Sequence, residues 1–510
     1  MMKKILQVWL FCLAFQQLNA QDSIASVQSE VFNQRYRLLA ADAVSQPLLQ
    51  DVTFNIVEAG YKRKNGEYRL AQDASSQRDF YFRTSGTRRI KSFLVSGSFG
   101  YERVVQDSTA YTLRYDLHGA SPYYFYTVKK GHWDIGHYSL NGVVSKTIGD
   151  KFTVAAAGHY NSLNGWRSSD PRPEYFDQYM EFAPATQYRF SDKQLIGIGG
   201  RYIKRRTETS VEYRNDNYSM GGGQYPEYIT YLQYGYGRQK NQSTRRNIRS
   251  KATGWAADAL YQGKFSFGEL TVKGSYRQID SEFFLPGTQT GDIPLTVGFF
   301  YEDIADVTAQ WRFMRPQYSI DILAAYQYHY GQDLNTEFSA NNYLYSFEQL
   351  SIRPVYTRRK DNLPVYEILL DARLSDLYRA DGSSNVLTDY QVARGMAQAA
   401  GFLYFGEKQF LKAGLAAEVQ LPVSSKVQTP TQSSAFTQGV VIPDAYYQRA
   451  TSFTGRVDLL YSFPVDKVNS FIRLQSGLQQ AAIKQNRLLP ATQLPGKQRW
   501  FYELTIGVTL

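Results

Sequence analysis

Residues 498–510 read QRWFYELTIGVTL, and their alternation constrains the fold more than any other feature. Trp500, Tyr502, Leu504, Ile506, Val508 and Leu510 take the even positions, while Phe501, Glu503, Thr505, Gly507 and Thr509 take the odd ones. Successive side chains of a strand point to opposite faces, so one face is wholly apolar and the other mostly polar or small. A soluble sheet must cover such a face with a second layer. In a membrane barrel lipid covers it, and aromatic residues mark the interface. The stretch reads as the closing strand of an outer-membrane β-barrel.

Earlier segments repeat the pattern. Phe152, Val154, Ala156 and Tyr160 oppose Thr153, His159 and Asn161. Ile320, Ile322, Ala324 and Tyr326 oppose Asp321, Gln327 and His329. Ile368, Leu370 and Ala372 oppose Glu367, Asp371 and Arg373; Leu411, Leu415 and Val419 oppose Lys412 and Glu418; Ile472 and Leu474 oppose Arg473 and Gln475. Charges collect on the face opposite the apolar one, as a polar lumen requires. This makes His159, Asp321, His329, Asp371, Arg373, Lys412 and Arg473 candidate lumen residues.

The connections have their own rhythm. Short turns fall at Ser85-Gly86-Thr87, Gly149-Asp150, Ser191-Asp192, Gly268-Glu269, Arg315-Pro316, Lys360-Asp361, Gly406-Glu407 and Pro464-Val465-Asp466. Between them lie long connections at 106–132, 164–175, 214–250, 284–295, 333–341, 380–385, 422–445 and 484–497. Outer-membrane barrels have short periplasmic turns and longer external loops. About sixteen strands run from Ile90 to Leu510, and residues 52–85 add a hairpin around Asn65-Gly66, a tight-turn signal. The expected fold is an all-β transmembrane antiparallel barrel of about 18 strands, or 16 if that hairpin lies outside the barrel.

Residues 1–20 have the form of a secretory signal: Lys3 and Lys4, an apolar core from Ile5 to Phe15, and Leu18-Asn19-Ala20 before a cleavage site. Cys12, the only cysteine, lies in that core, so the mature chain has no disulfide or thiolate chemistry. Residues 21–50 lack strand alternation, with a short helix expected over Arg35 to Ser45. They are either a periplasmic segment or a small plug, and residues 51–510 form the barrel. A mean hydropathy of −0.43 and the lack of a long apolar run argue against a spanning helix in the mature chain. The 41 tyrosines suit aromatic girdles, although soluble β-rich proteins carry many as well. Without Lys3 and Lys4, 55 of the 57 basic residues remain against 46 acidic ones, a net charge of +9. In a secreted chain this points to anionic surroundings or ligands rather than nucleic acid.

Residues 201–251 hold eleven Lys and Arg against four Asp and Glu, with tyrosines interleaved. Arg205, Arg206, Arg214, Tyr225, Tyr228, Tyr231, Tyr234, Arg238, Arg245 and Arg246 are therefore candidates for an external surface. Basic and aromatic groups together hold sugars, phosphates or an anionic partner. A solvated loop meeting lipopolysaccharide phosphates explains the composition equally well. Gly221-Gly222-Gly223 gives the segment a flexible tip. Residues 119–126, GASPYYFY, and the Asp170-Pro171-Arg172-Pro173 turn lie in other long connections, where ordinary loops or inward-folded constrictions are both expected. The five histidines lack metal-site spacing, and no nucleophile-elbow or metalloprotease pattern occurs. No enzyme, cofactor or metal is expected.

The signal ending before Gln21-Asp22, the SPYYFY connection, the DPRP turn and the Tyr-rich strands resemble a family of outer-membrane β-barrels of Bacteroidota without an assigned activity. The resemblance spans most of the mature chain. It implies a Gram-negative outer membrane and an accessory role in import, beside a TonB-dependent transporter or a surface lipoprotein. A looser architectural resemblance is to long-chain fatty acid channels, but the polar inward faces do not suit a greasy conduit. The functional expectation is a porin-like barrel assisting uptake of a small solute. The alternatives are a partner-binding or structural barrel without transport and, last, an outer-membrane hydrolase.

Overall fold

The computed structural model describes residues 24–510 except 51, 116–118, 220–223, 288–292, 407, 431–433, 467 and 485–493. The expected signal, Cys12, His118 and Gly221-Gly222-Gly223 lie outside the described residues. The fold is an 18-stranded antiparallel sheet in which each strand pairs with its sequence neighbours within the sheet. The first strand, Phe54–Asn65, pairs with the last, Gln498–Thr509, in register from Ile56↔Thr509 to Asn65↔Trp500. That seam closes the barrel and leaves no free edge.

Facing follows the alternation. Leu415, Ile198 and Phe453 point outward with 66%, 62% and 63% of their surface exposed. In the last strand Trp500, Tyr502, Leu504 and Ile506 point outward, whereas Thr505 and Thr509 are buried inside. Large contiguous apolar surface is rare on soluble monomers, and lipid is the solvent that suits it. Thr505 lies 2.6 Å from the Tyr81 hydroxyl, so this inward position is packed rather than open to water.

Short turns gather at one end and long connections at the other. Asp361 and Asn362 both take positive φ, 52° and 63°, which matches a two-residue hairpin turn whose twist suits its strands. The first hairpin is part of the barrel, with two local departures. Ser85-Gly86-Thr87 lies inside the strand Ser76–Ile90, and the chain turns at Lys91, whose φ is 54°. Gly86 is small because a Cβ there would overlap the Asn55 side chain on the paired strand. Asn65-Gly66 opens a connection of residues 66–75 rather than a tight turn. Gly66 takes φ 136° and lies close to the backbone of Gln498 and Arg499.

Residues 24–50 fold against the inward faces of the strands, and several external connections fold back over the opposite end. The helix here is Glu30–Leu39, followed by a 3-10 turn at Gln46–Leu49; the expected helix over Arg35 to Ser45 overlaps it only at its start. Ser29 begins the helix, its Oγ accepting from the Phe32 N–H at 3.2 Å. That shifts the start upstream of Arg35.

Candidate functional site

Between these two inward-folded pieces lies a chamber of about 1040 Å³. Its wall is built from the inward faces of the strands, where arginines meet carboxylates. Arg473 reaches across to Asp458 with both fork nitrogens, at 2.8 and 2.6 Å. Arg205 holds Asp177 the same way, at 2.9 and 2.6 Å. Arg373 folds onto Asp371, two positions before it on its own strand, at 2.8 and 2.6 Å. Longer pairs join Arg456 to Glu418 at 3.1 Å, Arg499 to Asp73 at 3.6 Å and Lys62 to Glu503 at 3.6 Å. A guanidinium fork matches a carboxylate in two parallel hydrogen bonds, so these side chains are held in place while facing water.

The floor is the segment 24–50, pinned around the circumference. Glu30 donates its backbone N–H to Glu367 Oε1 at 3.0 Å, and its carboxylate meets Arg353 at 3.4 Å. Lys412 Nζ donates to the Gln28 carbonyl at 2.9 Å and lies 3.1 Å from Glu367 and 3.8 Å from Glu30. Asp321 accepts from Gln34 of the floor and from Gln310 at 2.8 Å. Lys273 pairs with Asp42, and Gln187 donates to the Val44 carbonyl at 2.7 Å. Gln46 accepts from Ser145 at 2.6 Å and donates to Ser96 at 3.1 Å.

The roof is a small sheet of Tyr123–Tyr126, Tyr231–Tyr234 and Gln239–Asn241, with the helical turns Thr437–Gln448 beside it. Phe125, Leu232, Phe436 and Val441 form its core, packed on inward residues of the wall such as Phe300, Tyr343 and Val386. Two wall carboxylates hold it down. Asp333 accepts from the Tyr123 hydroxyl at 2.7 Å and from the backbone of Asn342 and Tyr343 at 2.8 and 2.7 Å. Asp381 accepts the N–H groups of Tyr236 and Arg238 at 2.7 and 3.0 Å. Gly235 lets the chain pass over Asp381, since a Cβ there would strike its carboxylate.

A third carboxylate lies within the roof. Asp444 accepts from the Ala71 N–H at 2.7 Å, and burial pushes its carboxyl up to about 7. Asp73 pushes the same way, Arg379 and Arg69 oppose it, and Tyr124, Tyr236 and Tyr390 also face it. An undocked carboxyl titrates near 3.9. Between about pH 4 and 7 the docked roof therefore binds more protons than the undocked one. Its stability is fully present below that window and falls as pH rises through 7. Proteolysis of residues 429–450 should accelerate from pH 5 to pH 8, and Asp444→Asn should flatten the profile. An unchanged profile in that variant would assign the pH dependence to another group.

The candidate residues separate accordingly. Asp371, Arg373 and Arg473 line the chamber. Asp321 and Lys412 point inward but lie buried beneath the floor. His159, 2.8 Å from Asn161, and His329, 2.9 Å from Glu302, face inward on other sectors of the wall.

Within the basic, Tyr-rich set, Arg205 is a chamber residue on a strand, and Arg206 points outward beside Glu208 at 3.3 Å. Tyr231 and Tyr234 belong to the roof: Tyr231 stacks on Tyr126 at 5.1 Å, and Tyr234 is buried edge-on to Tyr123. These three depart from the expected external surface. Arg205 sits on a strand of the barrel, at a position whose side chain points inward. The two tyrosines are drawn in by apolar packing.

The remainder stay near the surface. Arg214 is exposed, its backbone N–H on Asp170 at 3.2 Å. Tyr225 and Tyr228 cluster with Tyr218, which stacks on Tyr228 at 3.9 Å, and Lys129 lies over the Tyr228 ring at 4.5 Å. Arg238 pairs with Glu337 at 3.5 Å, Arg245 is half-buried, and Arg246 lies over Tyr213 at 4.6 Å. Arg172 folds back on Asp170 at 2.8 Å. Among the described residues no group of three His, Cys, Asp or Glu is arranged to hold a metal ion.

A protein-family profile, described only as a family of unknown function, matches residues 43–510. No curated protein matches the chain. Solved structures overlap it loosely. The siderophore receptor PiuA from Acinetobacter baumannii is 9% identical with a TM-score of 0.39, covering 89% of this chain and 82% of that one. The alcaligin outer-membrane receptor FauA from Bordetella pertussis is 6% identical with a TM-score of 0.41, covering 89% and 76%. OpdK from Pseudomonas aeruginosa, solved with vanillate, is 9% identical with a TM-score of 0.35, covering 90% and 98%.

Proposed function

Because the chain belongs to that family, DUF6850, whose activity is unassigned, we infer its role from the chamber: an outer-membrane barrel that takes up a small polar solute by opening roof and floor in turn. The observation carrying this reading is the charge-lined chamber above the floor, bounded by Glu30 and Arg37 of that segment, by the inward faces of the strands and by Asp73 and Ala74 of the connection 66–75. A purely structural barrel has no need of a cavity whose charges are pre-arranged. The apolar outer face supports residence in the outer membrane of a Gram-negative cell, reached after signal cleavage near Ala20. Lys204 and Arg206, which point outward next to the external loops, would meet lipopolysaccharide phosphates.

In planar bilayers the purified barrel should conduct only in brief openings. A variant lacking residues 24–45 and carrying Asp381→Ala should hold a steady pore. An assembled double variant that never conducts would sink the transport reading.

A second reading, partner binding, is favoured by the Tyr218, Tyr225 and Tyr228 cluster at the loop surface. Such rings give flat amphipathic contact area at low entropy cost. The barrel would then serve a TonB-dependent transporter or a surface lipoprotein of a Bacteroidota import system as its accessory subunit. No catalytic role is proposed.

A further inference from the structure

We propose that the chamber binds a small organic anion, through a carboxylate or phosphate group, and that Arg37 is its principal contact on the floor. This rests on the uptake reading and adds the charge of the solute. The argument is one of charge matching. Among the described residues, every carboxylate lining the chamber has a basic partner within ion-pair distance, from Asp458 with Arg473 to Glu503 with Lys62. No carboxylate of the chamber lining is left over to receive a cationic solute.

The surplus is basic. Arg37 lines the chamber from the exposed side of the floor helix and pairs with no carboxylate among the described residues. Lys64, on the inward face at the external end of the first strand, also lines it. It feels Asp79 electrostatically but forms no ion pair with it. The two mark opposite ends of the cavity, and Arg373 and Arg456, each nearly half exposed, line it as well while shared with Asp371 and Glu418. A cavity with surplus basic donors favours oxyanions over neutral solutes, since each charge-assisted hydrogen bond is about twice as strong as a neutral one.

The test is binding to the full-length purified barrel in detergent, by calorimetry, with succinate, glucose 6-phosphate and unmodified glucose as probes. Succinate, glucose 6-phosphate or both should bind, more weakly as salt rises, and glucose should not. The arm that binds tells a carboxylate site from a phosphate site. Arg37→Gln should weaken the bound anion about tenfold, the size of one lost charged contact. Lys64→Gln, at a position open to water, should weaken it less. Because neither side chain holds the fold, both variants should melt like the parent. Equal binding of glucose, or no change in affinity in Arg37→Gln, would overturn the proposal. A barrel that conducts yet selects neutral sugars would leave the uptake reading standing and remove only the anion.

Discussion

Asp381→Ala is expected to release the roof while leaving the barrel assembled. The carboxylate is buried, and its two oxygens collect donors from three separate stretches of chain. They are the Tyr236 and Arg238 N–H groups, the Asn342 amide at 3.1 Å, and Ser383 and Ser384 at 3.0 and 3.1 Å. Alanine leaves those donors without an acceptor in a place water reaches poorly. The expected cost is about 3–5 kcal/mol, spread over the roof. The strand ladder on either side of residue 381 does not use the side chain, so heat-modifiable migration of the barrel should persist. Loop cleavage within 231–241 by an external protease should rise by orders of magnitude. Asp381→Asn, which keeps one acceptor oxygen, should fall between. A variant as protease-resistant as the parent would show that the apolar core of the roof suffices without its anchor.

Lys412→Met should have an effect of similar size at the floor. The lysine is 3% exposed and lies between Glu367 and Glu30. Removing it leaves the buried Glu367 without a basic partner and close to Glu30, which keeps Arg353, a loss of about 3–5 kcal/mol. The floor helix should detach, seen as labelling of a cysteine placed at Gln34 that is silent in the parent. Adding Glu367→Gln should restore part of the protection, because it removes the stranded charge. If the double variant is as exposed as Lys412→Met alone, the lysine contributes by packing its methylenes instead.

The barrel was legible from the sequence because lipid outside and water inside impose a period of two on every strand. Leu411 beside Lys412 and Leu474 beside Arg473 already reveal which way each side chain faces. The chamber was half legible: Asp371, Arg373 and Arg473 could be placed on the inward face, but their partners come from register, which alternation does not carry. The roof was the least legible part. Tyr231, Tyr234 and the YYFY run of residues 123–126 have the composition of a binding surface and the environment of a core. Tyrosine serves both, so only the long-range pairing of Tyr123–Tyr126 with Tyr231–Tyr234 tells them apart. The floor was hidden for a related reason. Its contacts with Asp321, Glu367 and Lys412 link residues about three hundred or more positions apart, and nothing in a local window records them.

The seam between Phe54–Asn65 and Gln498–Thr509 has a consequence for how the molecule is made. The floor joins the first strand directly, so the piece that fills the lumen is synthesised before any of the wall it binds. Its partners, from Thr87 to Lys412, are complete only when nearly the whole chain exists. Pairings this distant form late, after the loop-closure entropy has been met. The last strand then zips against the first with the floor already inside. Final ring closure thus doubles as a loading step, and a chain whose leading segment strays during biogenesis would be sealed empty.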